Sequence, residues 1–197
     1  YDARSVLVAP ARIGWQALMT NPDELLEAAE KVIAILSRHH VDAVVIGAAA
    51  LAAHHYVRQT EDLDLGVNAE LKTLRAVYES LRSAGYVAEL REPDGADPLG
   101  GVIDVSGPFG LVQIISYAGR FPAVIEDAVR SATLVVRQGS SLRITPLPQL
   151  IALARAKPGQ LNYGSAGQGS VSHLAGVLFD LLAKTKTVHV PYKSSAP

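Results

Sequence analysis

The chain has 197 residues, of which 49% are hydrophobic and 19% are charged, so it carries enough apolar material for a folded core. Its 18 Lys and Arg residues against 19 Asp and Glu residues give a formal net charge of -1. That balance argues against a general nucleic-acid coat or a binder of anionic membranes, since both need a basic excess. The absence of cysteine excludes disulfide frameworks, thiolate zinc sites and cysteine nucleophiles.

The sequence predicts no membrane segment and no signal peptide. The longest apolar run, residues 43–53, is about half of the roughly 20 residues that a membrane-spanning helix needs. Residues 1–5 lack the basic stretch and apolar run of a secretory leader. The expectation is therefore a cytoplasmic protein with no membrane partner.

Residues 1–18 differ in character from the rest of the chain and are interpreted as an N-terminal extension. Met19 is the only methionine, and a helix start comes directly after it, with Asn21 as a capping residue and Pro22 at the first helical position. The alternative is a short native arm that packs its apolar residues on the domain.

From residue 19 the apolar periodicity alternates between helix and strand. The helices are predicted at residues 22–39, 48–56, 71–85 and 122–131. The strands are predicted at residues 43–46, 63–67, 86–90, 102–105, 111–116, 134–136 and 142–144. A turn at residues 107–110 joins the strands at 102–105 and 111–116 into a hairpin. The pattern indicates an α/β or α+β domain over residues 19–153.

The composition changes in residues 154–197, which are predicted to form a helical and loop-rich tail. A Gly- and Ser-rich run at residues 162–170 precedes a helix from Val171 to about Lys184. Leu178, with neighbouring apolar side chains of that helix, is expected to pack the tail on the first domain.

The most informative stretch joins Gly47 to the pair Asp62 and Asp64. Side chains alternate along a strand, so the two carboxylates point to the same face. Like charges held that close repel unless something offsets them, and Mg²⁺ suits hard oxygen ligands. Gly47 lies at a strand-to-helix turn, where free backbone N–H groups favour a phosphate. The layout suits phosphoryl or nucleotidyl transfer, although a lone Asp-x-Asp is more often a pair of solvated charges at a strand end.

Residues 22–153 resemble the nucleotidyltransferase-fold superfamily, and within it the AbiEii-like toxins and minimal nucleotidyltransferases. The resemblance is carried by Gly47, Ala50-Leu51, His54, Arg58-Gln59-Thr60 and Asp62-Leu63-Asp64. It implies a mixed sheet flanked by helices. It also implies that Asp62 and Asp64 hold Mg²⁺ and that the amides of Gly47 and Ala48 approach a nucleoside triphosphate. Arg58 and Thr60 would be positioning residues.

Two positions depart from that pattern. Ala48 replaces a second Gly or Ser, which removes a hydroxyl and adds a Cβ near the phosphate. The family uses a third carboxylate on a later strand, and Gln113, which occupies the matching place, cannot accept a proton. A hairpin symmetric about Pro108-Phe109 would set Asp104 opposite Gln113, where it would supply the missing carboxylate. Asp104 as an exposed charge is the equal alternative.

The last part of the chain, from about residue 146 to 197, resembles the Bug family of periplasmic substrate-binding proteins of tripartite tricarboxylate transporters. The resemblance rests on residues 157–159, 161–167, 173–176 and 188–193. It implies that Ser165, Ala166, Gly167 and Ser170 line a small-carboxylate site. The segment is a small part of such a protein, so the sequence also fits a chimera.

These observations lead to one principal expectation and two alternatives. The principal one is a Mg²⁺-dependent nucleotidyltransferase that moves a nucleoside monophosphate from a triphosphate to an RNA or protein acceptor. A toxin–antitoxin setting would add a cognate antitoxin as a partner. The alternatives are a fold that has lost its chemistry, or a small-carboxylate-binding module that uses the C-terminal loop.

Overall fold

A computed structural model describes the chain at residues 7–8, 22–47, 49–50, 62–93, 99–119, 122–132, 134–156, 162–165, 168–169 and 171–191. The chain forms two compact units, Tyr1–Pro146 and Leu147–Pro197. The division places the helix that begins at Leu147 in the second unit, whereas the sequence pattern ended the first domain near Leu153.

The first unit is built on one mixed sheet. Its strands are β1 (Leu7–Val8), β2 (Ala43–Ile46), β3 (Asp62–Val67), β4 (Val87–Arg91), β5 (Val102–Gly107), β6 (Gly110–Ser116), β7 (Leu134–Val135) and β8 (Arg143–Ile144). They lie in the order β1-β7-β8-β2-β3-β6-β5-β4. The sheet contains parallel pairs (β3 with β6, β2 with β8) and antiparallel pairs (β2 with β3, β5 with β6, β4 with β5). The predicted mixed sheet flanked by helices is confirmed.

Two amphipathic helices cover one face of this sheet. They are α1 (Pro22–Arg38) and α2 (Leu71–Ser83), close to their predicted bounds. Their apolar stripes bury Leu25, Leu36 and Leu74 completely or nearly so against alternate strand residues such as Leu63 and Ile114. Because strand side chains alternate, burying this set on one face turns the intervening residues of β3 and β6 to the other.

The opposite face of the sheet is covered in part by α3 (Pro122–Ser131), which contacts β2 and β3. Its fully buried Ile125 lies directly over Gly66, where an added Cβ would come within 2.6 Å of the Ile125 Cδ1 atom. The helix therefore approaches β3 closely because residue 66 has no side chain. The beginning of β3, with Asp62 and Asp64, is only half-buried.

The second unit contains α4 (Leu147–Ala156), β9 (Asn162–Ser165), α5 (Val171–Ala183) and β10 (Val188–Pro191). Strands β9 and β10 pair in parallel, and α5 contacts both. Asp180 of α5 accepts hydrogen bonds from the Thr187 backbone N–H (2.9 Å) and the Thr185 hydroxyl (2.7 Å), which fixes the turn into β10.

Several large apolar side chains of α5 are exposed. Leu178 is 51% exposed, Leu181 71% and Leu182 69%. The helix buries Ala183 and contacts β9 and β10. None of the helices in the described ranges is both long and apolar enough to cross a bilayer.

Candidate functional site

A row of polar side chains crosses the open part of the first unit's sheet. Asp64 of β3 pairs with Ile46 of β2 on one side and with Gln113 of β6 on the other. Gln113 in turn pairs with Asp104 of β5, which pairs with Glu89 of β4. Directly paired residues project to the same face of a sheet. Four polar residues on four neighbouring strands therefore lie side by side on one face.

Asp62 and Asp64 are both half-buried and lie at the beginning of β3, on either side of the fully buried Leu63. Asp62 pairs with Leu111 and Asp64 with Gln113, so the two carboxylates share the face that α1 and α2 leave uncovered. The placement predicted from the period-two alternation is confirmed.

Gly47 directly follows β2 beside this pair, in a conformation that favours glycine. Its φ angle is +65°, in the left-handed region where a Cβ is unfavourable. A Cβ built on Gly47 would also overlap the Asp64 carboxylate, whose Oδ2 atom lies against the Gly47 backbone. Because residue 47 has no side chain, the Asp64 carboxylate oxygen can lie directly beside the backbone at Gly47.

Asp104 lies where the predicted hairpin places it. The register pairs Gly107 with Gly110 and Asp104 with Gln113, so the expected symmetry about Pro108-Phe109 is confirmed. The carboxylate is engaged: Arg91 donates from Nε to Oδ2 (2.9 Å) and from Nη2 to Oδ1 (3.1 Å). Gln113 donates from Nε2 to Oδ1 at 2.6 Å. Both oxygens of Asp104 thus accept hydrogen bonds, and its side chain is only 22% exposed.

Tyr117 is a residue of this region that the sequence reasoning missed. It follows β6 and is 4% exposed. Burial, with a smaller contribution from the Asp64 charge, raises the pKa of its phenol above the usual value, so it stays neutral at physiological pH. The signal was available, because Gln113, Ile115 and Tyr117 share one phase of the period-two pattern.

The donors at the start of β3 fit a hard divalent cation. Asp62 and Asp64 share one face of the sheet, and the Gly47 backbone lies beside the Asp64 carboxylate oxygen. Oxygen ligands of this kind suit Mg²⁺, which is bound through one or two carboxylates together with substrate phosphates. Within the described ranges, no group of three or more His, Asp or Glu side chains is arranged to hold a metal ion. A third carboxylate therefore does not join Asp62 and Asp64 there.

Several predicted site residues lie outside the described ranges. They are Ala48, Arg58, Thr60, Ala166, Gly167 and Ser170. Most of the predicted helix at residues 48–56 lies outside as well, with His54 and His55. Ser165 is described only as the last residue of β9.

In the second unit, two histidines lie next to the Gly- and Ser-rich loop. The His173 ring of α5 stacks on the His189 ring of β10 with centroids 4.0 Å apart. The Gly169 backbone N–H donates to His173 Nδ1 at 3.0 Å. Burial, followed by the neighbouring His173, lowers the pKa of His189. His189 therefore favours its neutral form, and His173 ties α5 to Gly169 of the loop.

The sequence of the C-terminal half matches a known family. The model of the "Tripartite tricarboxylate transporter family receptor" covers residues 112–197, less than half of the chain. The predicted resemblance of the C-terminal segment is confirmed. The match begins inside β6, well before the predicted start near residue 146, so it includes part of the first unit.

A curated relative supports the same resemblance. The "UPF0065 protein in tcbD-tcbE intergenic region" of Pseudomonas sp. (strain P51) is 39% identical over 77 residues, which make up 39% of this chain. The matched residues span only 22% of that relative's length.

Three solved structures share part of the backbone arrangement. "Antibiotic-Resistance Factor ANT(2'')-Ia" has a TM-score of 0.47 and 17% identity over 80% of this chain and 85% of its own. An "antigenic nucleotidyltransferase-like protein from Paracoccidioides brasiliensis" scores 0.41, with 16% identity over 85% and 95% of the two chains. A "tRNA-processing enzyme (apo form I)" scores 0.43, with 16% identity over 88% and 45%. At these scores and identities the likeness concerns the backbone path, and nothing about activity passes to this chain.

Proposed function

We propose that the first unit binds a magnesium–nucleoside triphosphate complex at Asp62 and Asp64 and transfers a nucleoside monophosphate from it to an acceptor. The observation that carries the proposal is the meeting of Gly47 and Asp64. A left-handed turn without a side chain lies directly against a half-buried carboxylate. That arrangement would set a phosphate bound at the turn beside a cation ligand.

Each residue of the proposed site has a distinct task. Asp62 and Asp64 would hold Mg²⁺, which would offset the negative charge of the triphosphate. The backbone amides at Gly47 and Ala48 would approach the triphosphate, because N–H groups at the start of a helix have no intrahelical partner. Arg58 and Thr60 would orient the nucleotide.

In the transfer step, an acceptor hydroxyl oxygen forms a bond to the α-phosphorus while the bond from that phosphorus to the α–β bridging oxygen breaks. Pyrophosphate leaves with the bridging oxygen. Asp104 as the missing third carboxylate was one of two equal interpretations, but both of its oxygens already accept hydrogen bonds from Arg91 and Gln113. The acceptor proton would therefore pass to solvent water. Without a protein base, transfer is expected to be slow relative to nucleotide binding. The acceptor would be a hydroxyl group of an RNA or a protein.

A thermal-shift panel tests the proposal, with each nucleoside triphosphate measured with and without Mg²⁺. A ligand at about a hundred times its dissociation constant adds roughly 2.7 kcal/mol of stability. In a two-state protein of this size that corresponds to about 5–10 °C. A Mg²⁺-dependent shift that disappears in the double variant Asp62→Asn/Asp64→Asn supports the site. Equal shifts in both proteins would contradict it.

A second candidate function belongs to the C-terminal segment, and the receptor-family match over residues 112–197 favours it. The loop around Ser165, Ala166, Gly167 and Ser170 would bind a small carboxylate through backbone donors and hydroxyls. Citrate and other dicarboxylates in the same panel test this candidate. A shift with dicarboxylates that the Asp62→Asn/Asp64→Asn variant retains would assign binding to the loop.

A further inference from the structure

The orientation of the Gln113 amide is fixed by its neighbours on β5 and β4. Arg91 donates two hydrogen bonds to Asp104, at 2.9 and 3.1 Å, so this carboxylate pairs with a permanent positive charge. An ionised carboxylate can only accept hydrogen bonds. Gln113 must therefore present its Nε2 donor to Asp104, as it does at 2.6 Å.

The orientation of the Gln113 Nε2 donor also determines the direction of its Oε1 atom. The oxygen and nitrogen of a primary amide lie on opposite arms of one planar group, so turning Nε2 toward Asp104 turns Oε1 away from it. The strand on the far side of Gln113 is β3, where Asp64 is the direct partner. The amide O and N positions are set by chemistry here, since an inverted amide would place two acceptors against each other.

We propose that Gln113 supplies a neutral carbonyl oxygen to the cation site at Asp62 and Asp64, and that Asp104 and Arg91 are positioning residues that hold the amide in this orientation. The inference rests on the proposed magnesium–nucleotide site and deepens it. Amide carbonyl oxygens are accepted ligands of hard divalent cations. The cation site then carries two negative charges, whereas a site of three carboxylates carries three. Its third ligand is an amide oxygen, which does not take a proton.

The variant Asp104→Asn tests the positioning role. Arg91 would hold the new amide oxygen, which leaves an N–H donor facing Gln113 and favours rotation of the Gln113 amide, with Oε1 toward residue 104. The probe is Mn²⁺ alone, and its affinity is measured by paramagnetic resonance without nucleotide or turnover. We expect the affinity to fall about tenfold, the usual effect of losing a group that orients a ligand.

A matched control removes a similar ion pair away from the row. Arg75 donates from Nε and Nη2 to Glu92, both at 2.8 Å. The variant Glu92→Gln breaks that bidentate pair, and Mn²⁺ affinity should stay within twofold of the wild type. A loss in the control equal to that in Asp104→Asn would overturn the positioning role.

A second variant, Gln113→Glu, gives a readout that a purely structural role would not move. A ligating glutamate adds a third titrating carboxylate, so Mn²⁺ should bind more tightly at pH 7. Below about pH 5 its affinity should also fall more steeply with pH than in the wild type. An unchanged affinity and pH profile would overturn the proposal that residue 113 contacts the cation.

The outcomes separate this inference from the proposed function. If Asp64→Asn abolishes Mn²⁺ binding while Asp104→Asn and Gln113→Glu change nothing, the cation site stands and the role of Gln113 is wrong. If Asp64→Asn binds Mn²⁺ as the wild type does, the proposed function itself fails. Circular dichroism of each variant confirms that the fold is retained.

Discussion

Gly47 and Asp64 define the candidate site at the scale of single residues. The contact between them has two independent requirements: a backbone with a φ angle of +65° and no Cβ to collide with the carboxylate. Either requirement alone selects glycine. Their coincidence at the end of β2 keeps the Asp64 oxygen against the turn.

Replacing Gly47 by alanine should therefore cost more than backbone strain. The left-handed conformation alone costs a residue with a Cβ roughly 1–2 kcal/mol, and displacement of the Asp64 carboxylate adds to that. Gly139→Ala is the matched control, since Gly139 has a φ angle of +78° but nothing within 4 Å of an added Cβ. Urea unfolding should show the larger loss for Gly47→Ala. Equal losses in the two variants would contradict the collision.

Part of this site could be predicted from the sequence. The shared face of Asp62 and Asp64 follows from the period of a strand, and the opposition of Asp104 and Gln113 follows from counting across a short turn. The pairing of Arg91 with Asp104 was not predicted, because it depends on β4 lying beside β5 at the sheet edge. The strand phase of Tyr117, shared with Gln113, could be read from the sequence, but its burial depends on packing that the sequence does not reveal.

The contact between α3 and β3 is the packing feature closest to the site at the scale of secondary-structure elements. Ile125 lies over Gly66, where an alanine Cβ would come within 2.6 Å of the Ile125 Cδ1 atom and 3.1 Å of the Ile46 Cγ2 atom. α3 can approach β3 this closely only because Gly66 has no side chain and Ile125 fills the space beside it. The sequence predicted the helix and the strand but could not predict which residues touch.

A double-mutant cycle tests that contact. Gly66→Ala should destabilise the protein by about 1–3 kcal/mol, as expected for overpacking of a filled core. Ile125→Val removes the Cδ1 methyl group and costs about 0.5–1.5 kcal/mol alone. The double variant should be more stable than the sum of the two losses predicts, because the valine relieves the clash. Strict additivity in urea unfolding would show that the two residues do not compete for space.

The loop between β7 and β8 is joined to α1 through Glu30. Arg137 donates to Glu30 Oε2 at 2.8 Å and the Ser140 hydroxyl donates to Oε1 at 2.6 Å. Burial acts to raise the pKa of Glu30, but the hydrogen bonds from Arg137 and Ser140 outweigh it and hold the pKa below the usual value of 4.5. The folded protein therefore favours the ionised form of Glu30.

This lowered pKa predicts how stability depends on pH. A carboxyl group whose pKa is lower in the folded than in the unfolded state stabilises the fold at pH values above the unfolded-state pKa. That stabilisation is lost as the pH falls through the folded-state pKa. Glu30→Gln should lower the unfolding free energy by about 0.5–1 kcal/mol at pH 7, after solvent screening. The difference from wild type should shrink below about pH 4.5. A difference that grows toward pH 3 in urea titrations would contradict this assignment.

The whole molecule consists of two units with different resemblances. The first is a mixed sheet crossed by the row of polar side chains, and the second pairs β9 with β10. The receptor-family match begins at residue 112, inside the first unit, so the sequence resemblance and the structural division do not coincide. The sequence indicated the change of character near residue 150 but not this overlap.

Hydrogen exchange tests whether the two proposed ligands use separate units. With Mg²⁺ and the triphosphate that binds, peptides covering residues 43–47 and 62–66 should exchange more slowly. With citrate, protection should appear at residues 162–165 and 168–189. Nucleotide protection confined to the second set would reverse the assignment of sites to units.

The most direct measurement for the central claim is calorimetric titration of the magnesium–triphosphate complex into the wild type and into Asp64→Asn. The claim predicts Mg²⁺-dependent binding by the wild type and a loss of at least about tenfold in the variant, since removing an ionised ligand costs more than about 1.4 kcal/mol. The two proteins must show the same thermal stability without ligand. Equal affinities, or wild-type binding that does not require Mg²⁺, would contradict the claim that Asp62 and Asp64 at the start of β3 form a nucleotide site.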